Sequence, residues 1–186
     1  MRKIVILYCV LLFSSNASVC LSQVYNFHDN TYYHDSSFSV PYTGEYVKFY
    51  GISKKMRLKS TLKEGKFHGE WLDFHESGQL ILKGNYTNGI QHGVFEEFYL
   101  NGNSAKNYSY SNGILHGSME LFHTSGALKG KVNYSDGALD GQWVHYHPNS
   151  VIQGIEMYKK GSIHGESIWF DPEGRTSNFY ALPLHW

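Results

Sequence analysis

A glycine recurs at Gly65, Gly89, Gly113, Gly137 and Gly161, and every step is 24 residues. A second column runs four residues behind it, at Gly69, Gly93, Gly117, Gly141 and Gly165. An aromatic column follows at Phe74, Phe98, Phe122, Tyr146 and Phe170, and a tyrosine column at Tyr86, Tyr110, Tyr134 and Tyr158. No insertion breaks the register between 65 and 170. A constant period of this length marks a repeat array, in which each unit is one supersecondary element that buries its apolar surface against its neighbours.

Two turn signals divide each unit. One is Asn88-Gly89, Asn112-Gly113, Asp136-Gly137 and Lys160-Gly161; the first three are residue pairs that tolerate the positive φ of tight hairpin turns. The other ends at Gly78, Gly102, Gly126, Ser150 and Gly174. The segments between them are short and rich in β-branched and aromatic residues, so the spacing predicts antiparallel hairpins and no helix. One hairpin alone is marginal in water, and stacking supplies the missing burial. Trp71 and Phe74 are three apart and would face opposite sides of a regular strand. Either both faces are partly covered or a bulge lies between the two.

The array is expected over 43–186, with degenerate end caps: "GEYVKFYG" (Gly44 to Gly51) at one end and "NFYALPLHW", with its strand-blunting Pro183, at the other. Residues 23–42 are polar and Tyr-rich and are expected to form a lead-in of low order. Residues 1–22 have the pattern of a signal peptide: Arg2 and Lys3, then the apolar run Ile4 to Phe13, then polar residues. Export to the periplasm, outer envelope or medium is therefore expected. Val19 stands where a lipidated Cys20 would need a small residue, which argues against a lipoprotein. Both cysteines, Cys9 and Cys20, fall in this leader, so the mature chain has no thiol for disulfides, catalysis or metal ligation. Lysine plus arginine equals aspartate plus glutamate at 16 each, a balance that argues against a nucleic-acid partner.

The motifs "G-x-x-H-G-x-W-x-x-F" (Gly65 to Phe74) and "NG-x-x-H-G" (Asn88 to Gly93, Asn112 to Gly117), with the stretches ending at Tyr86, Tyr110 and Tyr134, resemble the MORN repeat. The resemblance is to its longer bacterial variant, found in YwqK-family antitoxin-like proteins, and covers roughly Gly44 to Gly174. It implies an elongated single-layer stack of antiparallel hairpins that serves as an interaction surface. It also implies protein scaffolding, membrane attachment or the silencing of a toxin as roles.

Candidate reactive residues do not converge. His68, His92, His116 and His164 share one slot, with Asp140 in the fourth unit. Successive units lie two strands apart, about 9–10 Å, whereas zinc needs several ligands at about 2.0–2.1 Å. Turn support, with the ring donating to a loop carbonyl, is the expectation. His145 and His147 share a strand face, with His123 one unit before His147; solvent exposure is expected there rather than a zinc pair. Glu96 and Glu97 should point to opposite faces, and Glu70, Asp73, Glu76, Glu120 and Asp171 are scattered over different slots. No pair stands out for the two-carboxylate chemistry of a glycosidase. The reading is a non-enzymatic, cofactor-free and metal-free repeat protein. Its partner is expected to be a protein, with a membrane lipid or glycan as the alternatives.

Overall fold

The computed structural model describes residues 26–34 and 37–181, and every described element is a strand. The expected leader (1–22, with Cys9 and Cys20) and the terminal stretch 182–186 lie outside the described residues. The chain divides into two units, one of residues 1–79 with 86–90 and the other of residues 80–85 with 91–186.

The first unit contains β1 (Asn26–His28), β2 (Thr31–Tyr33), β3 (Gly44–Phe49), β4 (Met56–Lys63) and β5 (Lys66–Phe74). β1 pairs with β2, and β3, β4 and β5 pair in succession, all antiparallel. β4 alternates strictly, with Leu58, Ser60 and Leu62 buried and their neighbours exposed, as one covered face requires. Tyr42, Tyr46, Leu58 and Leu62 form the core, with Tyr32, Phe67 and Trp71 packed against it. Its aromatic rings tile at centroid distances of 4.8 Å (Phe67–Trp71), 5.1 Å (Trp71–Tyr86), 5.2 Å (Tyr32–Tyr46) and 5.3 Å (Tyr46–Phe67). Tyr32 and Tyr42 come from the 23–42 segment. That segment, expected to be of low order from its polar composition, carries a hairpin and two rings of the core.

β6 (Leu80–Thr87) and β7 (Ile90–Gln91) are divided between the two units. The second unit continues through β8 (Gly93–Phe98), β9 (Ser104–Ser111), β10 (Ile114–Leu115), β11 (Gly117–Phe122), β12 (Leu128–Ser135), β13 (Ala138–Leu139), β14 (Gly141–Tyr146), β15 (Ile152–Lys159), β16 (Ser162–Phe170) and β17 (Thr176–Ala181). From β6 onward its long strands pair in the order β6-β8-β9-β11-β12-β14-β15-β16-β17, an open antiparallel sheet whose neighbours follow chain order. β10 and β13 add two-residue extensions that pair with β9 and β12.

The turns repeat atom for atom. Asn88 and Gly89 have φ of 52° and 81°, the consecutive positive values of a two-residue hairpin turn. The Gly89 N–H donates to the Phe67 carbonyl of the preceding repeat at 2.7 Å. In the second unit Gly113 donates to Gln91, Gly137 to Leu115 and Gly161 to Leu139, at 2.8–2.9 Å. The opposite turns are laced by side chains. The Tyr50 hydroxyl donates to the Phe74 carbonyl at 2.9 Å in the first unit. In the second, the Tyr99 hydroxyl donates to the Phe122 carbonyl at 2.7 Å and His147 Nε2 to the Phe170 carbonyl at 2.9 Å. A carbonyl only accepts, so His147 carries its proton on Nε2.

The spacing of Trp71 and Phe74 is resolved by coverage of both faces. Trp71 and Phe74 follow one another regularly on β5, and both are half-buried. The irregularity in β5 lies earlier, between Phe67 and Trp71, around Gly69 with its φ of 86°. In β8, Phe95 and Phe98 likewise face opposite sides, and the extra residue near Phe98 belongs to β9. The buried side is tight where an aromatic lies across a glycine. A Cβ at Gly84 would overlap the Phe95 ring, and one at Gly154 would overlap the Trp169 indole. Phe95 is 1% exposed, so the glycine is what admits the ring.

Two outcomes are expected. Gly84→Ala, which forces the Phe95 ring to move, should destabilise the fold by about 1–3 kcal/mol in urea unfolding. Gly51→Ala, with nothing within 4 Å of the new methyl, should stay within about 0.5 kcal/mol. Burial, and secondarily Tyr32, push the Tyr46 phenol well above the ordinary tyrosine range. A folded-state pKa above the unfolded one gives stability that is complete below about pH 10 and lost as pH rises beyond it. Tyrosinate absorbance followed with circular dichroism should therefore show alkaline unfolding that Tyr46→Phe shifts to higher pH.

Candidate interaction face

Paired residues of adjacent strands share a sheet face, so the register defines rows of side chains. In the second unit one row is Lys83, Glu96, Asn107, Glu120, Lys131, Val144, Ile155 and Ile168, each residue opposite the next. The row changes character along its length. Its first five residues are charged or amide, and Lys131 Nζ reaches Glu120 Oε1 at 3.1 Å. Its last three are aliphatic. Beside them on the same face lie Ile152 and Met157, exposed by 37% and 36%. The column Phe98, Phe122, Tyr146 and Phe170 closes this face along the turn side and is half-buried throughout. Among the described residues no second layer covers the face.

The other face carries Phe95, Tyr108, Tyr110, Val132, Tyr134, Trp143, Tyr158 and Trp169. Here Glu97 is held by Lys106 at 2.9 Å and by the Tyr108 hydroxyl at 3.0 Å. Glu96 and Glu97 thus diverge to opposite faces. His145 lies between Trp143 and Trp169, at ring-centroid distances of 4.8 and 5.1 Å, and its Nε2 meets Glu156 Oε2 at 3.0 Å. Both His145 and Glu156 are largely covered, with side-chain exposures of 22% and 16%. Burial, then Glu156, raise the Tyr158 phenol above its usual range.

This corrects the expectation of solvent-facing histidines. His145 is an aromatic-stacked partner of Glu156, and His123 and His147 address carbonyls of the following repeat. The role expected of the His68 column, donation to a carbonyl, falls to these residues instead. His92, His116 and His164 are exposed, and His68 Nδ1 is buried with no hydrogen-bond partner. Asp140, the acid in that slot, accepts from the Lys160 N–H at 3.4 Å. The His145–Glu156 pair escaped notice because its members stand in different columns, 11 residues apart, and only register brings them together. Among the described residues no group of three His, Cys, Asp or Glu side chains is placed to hold a metal ion.

Asp73 and Asp171 are tuned by their local surroundings. Burial outweighs Arg57 and lifts the Asp73 carboxyl, whereas the Arg175 N–H, backed by its guanidinium, holds Asp171 low. The glycine, tyrosine and aromatic columns read from the sequence are turn, packing and face-closing positions.

A model described as a MORN repeat variant matches residues 67–88, 91–112, 115–136 and 139–160. An open all-β sheet of hairpins with these four matched repeats defines a repeat protein. The chain belongs to the MORN repeat family. No curated protein matches it.

His145→Ala removes the stacked ring and leaves Glu156 without its partner, so it should cost about 1.5–3 kcal/mol in urea unfolding. Lys131→Ala breaks only the exposed pair with Glu120 and should cost at most about 1 kcal/mol.

Proposed function

We propose that this is an exported, non-enzymatic repeat protein that binds another protein in the cell envelope. The observation carrying the reading is the second-unit face described above. Val144, Ile155 and Ile168 lie half-buried along it, and the exposed Ile152 and Met157 enlarge the apolar area beside a charged lane. A contiguous apolar patch with a polar border is what a protein partner buries, and the border sets register. Support for export comes from Arg2, Lys3 and the apolar run Ile4 to Phe13. Membership of the MORN repeat family supports binding as the class of activity. The antitoxin-like role is the version of this reading in which the partner is a toxin.

In-cell cross-linking of the tagged full chain, with envelope and cytoplasmic fractions analysed separately, should recover one abundant protein from the envelope. Met157→Lys, which places a charge on the apolar half, should abolish its recovery, while Val40→Lys should not. Recovery unchanged by Met157→Lys would refute this face, and a partner found only in the cytoplasm would refute export.

A further inference from the structure

A concavity lies at the turn end of the first unit. Phe27, Tyr32, Phe67 and Ile90 line it, with Asn30 and Asn88 among its polar walls, and the half-open groove offers about 500 Å³. That volume falls in the range of small-molecule pockets, about 300–1,000 Å³. The Phe27 ring packs on Tyr32 at 4.8 Å yet remains 49% exposed, and Ile90 is 50% exposed. Tyr32 in turn meets the Phe67 ring edge at 5.6 Å, so the floor is a run of aromatic surface.

The polar groups define what could lie on that floor. The Tyr32 phenol accepts from Tyr46. The lining has no indole N–H. What remains are two carboxamides and the Lys66 amine, none with a side-chain hydrogen bond to a described residue. Each carboxamide offers both a donor and an acceptor. Asn30 and Asn88 both occupy turns at positive φ, 57° and 52°, and both are exposed. A proline-rich peptide presents acceptor carbonyls and would want an indole donor, which the lining of this groove lacks. A ring with an apolar face and hydroxyls around its rim, each both donor and acceptor, matches the aromatic floor and the paired amides. Lys66 is the single charge, so the match is to a neutral or weakly anionic ring.

We infer that this groove is a saccharide subsite, taking a pyranose unit of a glycan with its C–H face on Phe27 and its hydroxyls on Asn30 and Asn88. This goes beyond the protein-binding face of the second unit and does not depend on it.

The test is saturation-transfer difference NMR on the full chain with two probes, N-acetylated chitotriose and cellotriose, followed by titration. Transfer to the ring protons of at least one sugar is expected. Phe27→Ala should weaken that binding. So should Asn88→Gly, which keeps a turn residue at ease with positive φ; the loss of one hydrogen bond predicts about a two- to tenfold effect. Far-ultraviolet circular dichroism checks that both variants fold. No transfer from either sugar to the folded wild type overturns the proposal. So does transfer that both folded variants retain at full affinity. A proline-rich peptide that shifts the Phe27 and Ile90 resonances while neither sugar does would also overturn it, and would make the groove a peptide site.

Discussion

The interaction on which the rest depends is the hydrogen bond from each turn glycine to a carbonyl of the repeat before it. A hairpin of this length cannot stand alone, because it has too little apolar surface to offset the ordering of its backbone. The donor must therefore be presented at the same point in every unit, and the positive-φ pair at the turn presents it. Gly113, Gly137 and Gly161 make the same bond in the same geometry. Any insertion between two glycines would move the donor off its acceptor, which accounts for the unbroken 24-residue register.

Lacing at the opposite turns is looser in chemistry and equally strict in geometry. Tyrosine at 50 and 99 and histidine at 147 reach a carbonyl of the following repeat by different routes. What the position requires is a flat ring with a donor at its far end. In the second unit one antiparallel sheet carries aromatic residues on both faces, and most of those rings are only half-buried. That arrangement leaves broad surface for partners, and glycine recurs beneath the bulkiest rings: Phe95 lies on Gly84 and Trp169 on Gly154, where a Cβ would overlap the ring.

The period, the turns and the strand character were legible because each is written by residue type at a fixed interval. The turn pair at 88 and 89 stands where the pattern placed it. Side-chain partnerships were not legible, because they depend on register across strands. His145 and Glu156 occupy unrelated columns, and only the pairing of β14 with β15 joins them. The histidine slot misled for a similar reason. Recurrence marks a position as structurally constrained without saying whether the backbone or the ring is the part in use, and at His92 and His116 it is the backbone N–H. The 23–42 segment was misjudged from composition, since tyrosines that look polar in a list supply core rings at Tyr32 and Tyr42.

In the second unit, neighbours in the sheet are neighbours in the chain, from β6 through to β17. Tension drawn across that order would load one ladder at a time, as a zipper is loaded, rather than shearing many ladders together. Each parting would release one strand of a 24-residue hairpin, so two successive partings would free about 80 Å of extended chain. The remaining hairpins would keep their lacing, because every bond that holds them is made to an immediate neighbour. Such a sheet would lengthen in equal steps under load and could re-form from whatever part stayed folded.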